Sequence, residues 1–248
     1  MKKLFKIILS FYLKILAKIA IFLHHPKIIV VAGSTNKLFT KEEIKKELDF
    51  LKINSRISPK NFNTEIGLPL SILDLPSGYN SIKNWIPALK KAPFSIIKSM
   101  PEYLILDLGV SNPGDMKYLL SIIKPNIAII TEITQRYLES FENIHTIIKE
   151  YEYLAKNTKN LFIYNHDNSK IKSLAKKVKI KTYSFGETEE SDWKIDKIKK
   201  EKDGMIFNLI YNSKIKNIKL KRFGKHHIYA KTIGLIVSDY VNGNKKNK

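Results

Sequence analysis

An α/β fold, with a mostly parallel sheet and helices on both faces, is what this sequence predicts, and two observations predict it. Short β-branched runs alternate with helical segments along most of the chain, the pattern of doubly covered strands joined by helical crossovers. The first run, Lys27-IIVVA, leads straight into Gly33 and small polar residues and then into a helix. That is the strand–loop–helix context of a phosphate-binding loop. A chain of 248 residues holds one sizeable domain of this kind, and 44% hydrophobic residues suffice to build its core.

Residues 1–24 are apolar but carry Lys2, Lys3, Lys6, Lys14 and Lys18. Wound at about 100° per residue, the lysines share one half of a helix, with Phe5, Ile8, Tyr12, Ile15, Ile19 and Phe22 opposite. The longest uncharged run, Ile7 to Leu13, is short for a bilayer, and no small-residue cleavage site follows. The segment therefore predicts a helix lying in the plane of a membrane surface, with its lysines snorkelling. A tilted membrane anchor and a helix packed on the protein's own core are the alternatives. Pro26 ends it, because proline disfavours helical geometry at the residue before.

After the first strand, Thr40 with Glu43 three residues on reads as a capping box opening a helix. Strands are expected at Tyr103–Leu108, Ile127–Thr131 and Leu161–Tyr164, and helices at Pro113–Ile123 and Leu138–Lys156. Beyond Ser184 the pattern changes to shorter strands. Met205–Tyr211 and Lys214–Leu220 read as an antiparallel pair at the sheet edge. A last helix spans His227–Tyr240. The expected organisation is a membrane-associating helix over residues 1–26, one domain over 27–240 and a frayed polar tail over 241–248.

The net charge of +21 raises the question of nucleic acid, but the basic residues are dispersed lysines, with only Arg56, Arg136 and Arg222 as arginines. Base readout and phosphate forks favour Arg, so an anionic membrane surface or a phosphate-bearing ligand suits this charge better. The absence of cysteine excludes disulfides, thiolate metal sites and a thiol nucleophile, and fits a reducing compartment. No Ser-His-Asp arrangement or zinc-ligand spacing competes with the loop.

Four segments, in order, carry a resemblance: Gly33-STNKLFTKE, Asn61-FNTEIGLPLSIL, Leu106-DLGVSNPGDMKYLLSIIKPNIAIITEI and Gly224-KHHIYAKTIG. Together they resemble the central domain of the Mur ligases, most closely the branch that joins D-Ala-D-Ala to a UDP-N-acetylmuramoyl tripeptide. The resemblance implies a P-loop-like ATP-binding domain, ATP and Mg²⁺ as cofactors, and a place in peptidoglycan synthesis in the cytoplasm. In the family, a uridine-nucleotide domain precedes this one and a third domain follows it. Here a helix stands in front, and the chain is expected to end where the third domain begins.

Position by position, the resemblance puts Gly33, Ser34, Thr35, Asn36, Lys37 and Leu38 in the nucleotide loop, with Lys37 on the β/γ-phosphates. Asn36 stands where the family has Gly, and Leu38 where a hydroxyl would ligate Mg²⁺, which an isobutyl group cannot do. Phe39 would crowd the loop. Asp107 replaces a metal-binding Glu, Tyr137 a His ligand, and Tyr151 a lysine that becomes carbamylated. His226 matches the family, while His227 replaces an adenine-contacting Asn. Asn61, Asn63 and Glu65 fall on the substrate side. Plain structural readings stay open beside these: a surface lysine, a strand-end cap, turn asparagines, a solvated glutamate, and packing tyrosines.

Three functions from different classes follow. The first is a membrane-associated pseudoenzyme that scaffolds cell-wall synthesis proteins or an intact Mur ligase. The second is an active ATP-dependent ligase component completed by another chain. The third is a basic protein that binds anionic lipid or nucleic acid through charge alone. Altered residues at two metal sites favour the first, because phosphoryl transfer leans on metal-ion charge neutralisation.

Overall fold

The computed structural model describes residues 3–79, 82–134, 141 and 143–246. Its strands are β1 (Lys27–Ala32), β2 (Ser55–Ile57), β3 (Tyr103–Asp107), β4 (Ile127–Ile130), β5 (Leu161–Asn165), β6 (Lys181–Gly186), β7 (Trp193–Glu201), β8 (Gly204–Tyr211) and β9 (Lys214–Leu220). Among the described residues they form one sheet in the order β2-β3-β1-β4-β5-β6-β7-β8-β9. Pairing is parallel from β2 to β7 and antiparallel from β7 to β9. β1 is flanked by β3 and β4, as expected of a strand that delivers a ligand loop to the sheet's carboxyl edge.

The helices are α1 (Lys3–His24), α2 (Lys37–Phe50), α3 (Gly67–Leu73), α4 (Ile82–Ser95), α5 (Asp115–Leu120), α6 (Ile144–Lys156), α7 (Ser169–Ala175) and α8 (Lys225–Lys246). Side-chain alternation along β1 splits them into two layers. Ile28, Val30 and Ala32 face one core with residues of α1 and α3 to α7, while Ile29 and Val31 face the other with α2, α8 and the β7–β9 strands. Every residue of β3 and β4 is buried, which is why these strands read as apolar runs, broken only by Asp107 at the end of β3.

Several element expectations change, among them the helix expected over Leu138–Lys156: α6 covers Ile144–Lys156, Phe141 and Asn143 are not helical, and 138–140 and 142 lie outside the described residues. α2 starts at Lys37, three residues before the expected cap, with Asn36 at its N-terminus in the left-handed region (φ 63°). Thr40 is inside the first turn, and its hydroxyl donates back to the Asn36 carbonyl (2.8 Å). The helix starts early because the loop itself turns the chain into it, leaving the capping box no end to cap. At the other end α8 runs to Lys246, through most of the segment expected to fray. Asp115–Leu120 is all that is helical of the segment expected as a helix over Pro113–Ile123.

α1 changes as well. In place of one apolar face opposite the lysines it has two apolar stripes. Leu9, Leu13, Ala17 and Ala20 are buried in the domain core, with Phe5 and Tyr12 packed beside them. Ile8, Ile15, Ile19 and Phe22 lie exposed on the other side, together with Leu4, Ile7, Phe11 and Leu23. The apolar face read from the lysines' positions falls between these stripes, because the lysines mark only one flank of the helix.

Candidate nucleotide and carboxylate site

The loop leaving β1 is shaped by backbone geometry that few side chains tolerate. Gly33 has φ +127°, and a Cβ there would lie 2.4 Å from Thr131 Oγ1, so only glycine fits. The segment following β4 clamps the loop: Ser34 N–H donates to the Glu132 carbonyl (2.8 Å) and Thr35 Oγ1 to the Glu132 carboxylate (2.7 Å). Thr131 Oγ1 donates to the Thr35 carbonyl (2.7 Å), and Ser34 Oγ accepts from Thr134 N–H (3.0 Å). Asn36 tolerates its left-handed backbone (φ 63°) better than most residues.

Lys37 opens α2 and folds back so that its ammonium donates to the Gly33 carbonyl at 2.7 Å. Burial holds its pKa below the ordinary 10.5; nearby Asp107 opposes that shift and Lys41 adds to it. A phosphate entering the loop meets this ammonium and the N-terminal end of a helix. Leu38, half-buried in the first turn, offers no donor or acceptor. Phe39 packs its ring 4.3 Å from His227 and 5.6 Å from His226, with the Arg222 guanidinium 5.5 Å from its centre.

Pairing of Val31 with Asp107 brings that carboxylate beside the loop. Asp107 Oδ1 accepts from Lys41 Nζ and from Ser58 Oγ, each at 2.7 Å, and Oδ2 accepts from Asn63 Nδ2 at 3.3 Å. Lys41 also donates to the Ser58 carbonyl (2.9 Å), so its side chain, only 1% exposed, is both paired and hydrogen-bonded. Sequence reasoning passed over Lys41 and Ser58. The signal for Lys41 was its position one helical turn after Lys37, which puts both ammonium groups on one side of α2.

At the start of α8, the His226 carbonyl accepts from Asn36 Nδ2 (2.7 Å) and so ties the loop to that helix. Burial first, then His226 and Arg222, hold the His227 pKa below its ordinary 6.5. Between loop and helix lies a cavity of about 200 Å³ lined by Thr35, Asn36, Asn165, Phe185, His226 and Tyr229, among others. Tyr229 donates to Asp167 at 2.5 Å, and burial followed by that bond pushes its pKa well up, so it stays a phenol. Asn165, Phe185 and Tyr229 were also missed. The strands carrying the first two end at the same edge as β1, which only the sheet order reveals.

The remaining expected residues are placed as follows. Asn61 forms a turn with φ 64°, and the Asn63 carbonyl accepts from Gly109 N–H (3.0 Å). Glu65 pairs with Lys6 of α1 at 2.6 Å. Tyr151 is buried on α6 in the hydrophobic layer that also holds Ile147 and Leu154. Tyr137 lies outside the described residues.

These donors fit a nucleotide better than they fit Mg²⁺. The loop presents Lys37 and a helix N-terminus to phosphate, and Asn36 Oδ1 is a buried acceptor with no partner among the described residues. For a divalent cation, Leu38 supplies nothing, and Asp107 already carries the full charge of Lys41 on Oδ1. Among the described residues no three or more His, Cys, Asp or Glu side chains are grouped to hold a metal ion.

Comparison with known proteins agrees with the fold. The family model described as the Mur ligase middle domain matches residues 31–237. The chain is 28% identical over 221 residues to the UDP-N-acetylmuramoyl-tripeptide–D-alanyl-D-alanine ligase of Rickettsia prowazekii, covering 86% of this chain and 44% of that protein. It is 30% identical over 154 residues to the same-named ligase of Borreliella burgdorferi, covering 62% of this chain and 28% of that one. The chain thus spans less than half the length of either relative. Among solved structures, the MurF ligase from Thermotoga maritima in complex with ADP superposes with a TM-score of 0.77 at 23% identity, covering 94% of this chain and 49% of that one.

Proposed function

The chain belongs to the Mur ligase middle-domain family, and on that premise we propose that it binds an adenine nucleotide but has lost metal-dependent phosphoryl transfer. In this reading it serves peptidoglycan synthesis as a scaffold at the cytoplasmic face of the membrane, holding other wall-synthesis proteins, an intact Mur ligase among them. The observation that carries the proposal is the mixed state of the loop. Gly33, Asn36 and Lys37 keep the phosphate cradle, while Leu38 puts an isobutyl group where the family's metal-binding hydroxyl would stand. The ADP bound by the Thermotoga maritima relative supports the choice of nucleotide.

In the proposed complex the adenine end occupies the cavity between Asn36, Phe185 and Tyr229, with the phosphates over Gly33 and Lys37. Arrival of a phosphate draws the Lys37 ammonium from the Gly33 carbonyl to an anionic oxygen, exchanging a neutral acceptor for a charged one. The test is calorimetric titration of ADP and ATP with Mg²⁺ and with a chelator. The expected result is affinity that is unchanged by chelation and falls about tenfold or more in Lys37→Ala, the loss of one charge-assisted contact. Substrate-dependent ADP release together with a ligated peptide product, absent in Lys37→Ala, overturns the proposal and returns the chain to the active ligases.

A further inference from the structure

We infer that the membrane surface is met by two helices, α1 and α4, which together form an in-plane docking face for an anionic bilayer; this rests on the membrane association proposed above. α1 and α4 pack into the same core layer, through Leu9, Leu13, Ala17 and Ala20 of one and Trp85, Ala88 and Ala92 of the other. The His24 ring also meets the Ile96 carbonyl at 2.7 Å, which joins the end of α1 to the chain leaving α4. Their outer sides therefore turn away from the same face of the sheet.

Both outer sides carry large exposed apolar side chains. On α1, Phe11 is 64% and Phe22 72% exposed; on and just after α4, Phe94 is 73% and Ile97 76% exposed, and Ile86 is exposed too. Charge selects the occupant. Residues 1–26 and 75–101 contain no Asp or Glu, while Lys18, Lys83, Lys90, Lys91 and Lys98 lie exposed among or beside these apolar groups. Asp74 pairs with Lys98 at 3.1 Å at the margin of this patch; the remaining lysines, set among large apolar side chains, complement acidic lipid headgroups over acyl chains.

By length and composition α1 suffices to cross a membrane. Its other contacts hold it to the domain. The inner stripe is buried, Lys6 pairs with Glu65, and Lys14 donates to Ser121 (2.6 Å) with its ammonium 4.6 Å from the Tyr118 ring centre. Spanning would strip away all of these, whereas lying in the plane keeps them and buries the outer stripe.

The experiment is co-sedimentation of the 248-residue chain with phosphatidylglycerol vesicles and with phosphatidylcholine vesicles. It uses wild type, an α4 variant (Ile86→Glu with Phe94→Glu) and an α1 variant (Phe11→Glu with Ile15→Glu). Circular dichroism melts confirm that each variant folds. The expected result is binding to the acidic vesicles, extractable by salt, and reduced about tenfold or more in each variant, since each loses apolar insertion and adds negative charge. Loss in the α1 variant with wild-type binding in the α4 variant overturns the two-helix face and leaves membrane association standing. No binding of wild type to either vesicle overturns both. Resistance to salt and alkaline extraction assigns a spanning helix and overturns in-plane docking. Self-association that the α4 variant abolishes, without vesicle binding, assigns the face to a second copy and also overturns it.

Discussion

Lys37 and Lys41 stand one helical turn apart near one carboxylate, and burial acts on them differently. Lys41 is sealed against Asp107 and Ser58, so removing its counter-charge leaves an ammonium with nowhere to go. Asp107→Leu is expected to cost about 3–5 kcal/mol in urea unfolding, the penalty of breaking one side of a buried pair. The double variant Lys41→Met with Asp107→Leu should recover much of that loss. Lys37 lacks such a direct partner, and its pKa is depressed. Between that depressed value and the ordinary 10.5, the unfolded chain holds a proton that the folded chain has released. Lys37 therefore weakens the fold at neutral pH, and this cost is relieved as pH rises through that window. Nucleotide affinity should move the other way, falling as pH rises through the depressed pKa, because phosphate needs the ammonium. Titrations from neutral pH to pH about 10 check this. A Lys37→Arg variant, always charged, should show no such fall.

At the scale of elements, α1 sets its two stripes against different surroundings. Leu13 is fully buried, so Leu13→Ala should destabilise the domain by about 2–5 kcal/mol, whereas Phe11→Ala on the outer stripe should stay within about 0.5 kcal/mol in the absence of lipid. Paired thermal or urea melts measure both, and equal losses would mean that the two stripes are equally packed. Other elements show why some structure was legible and some was not. β1, β3, β4 and β5 are buried runs of β-branched and aromatic residues, and the sequence marks them plainly. β2 has only three residues, too few for any period to register. α4 contains Pro87 and Pro93, which argue locally against a helix; packing of Trp85, Ala88 and Ala92 against the core outweighs them. β7 carries Lys194, Lys197, Lys199 and Lys200 and reads as a polar surface segment until it is seen paired to β6 and β8.

Across the whole molecule the sheet grades from a buried parallel centre to an exposed antiparallel margin. β9 is mostly exposed and pairs on one side only, while β1, β3 and β4 are covered on both faces. Amide hydrogen exchange should therefore be fastest in β9 and slowest in β1 and β3, by orders of magnitude in rate, since opening the centre requires global unfolding. Comparable protection across all nine strands would mean one cooperative unit without a labile margin.

The sequence by itself determined the α/β class, the loop after the first strand, the antiparallel pair at the sheet edge and the family likeness. Each of these is written in local order: a period, a run of residue types, or a motif at fixed spacing. Tertiary structure alone decided that Lys41 and Ser58 share the Asp107 carboxylate, that Asn165, Phe185 and Tyr229 line one cavity, and that Tyr151 packs in a core layer. It also decided which stripe of α1 is buried. These facts depend on which strands become neighbours and which helix face meets the core. Segments far apart in the chain settle such matters together, by burying the most apolar surface that the sheet order allows.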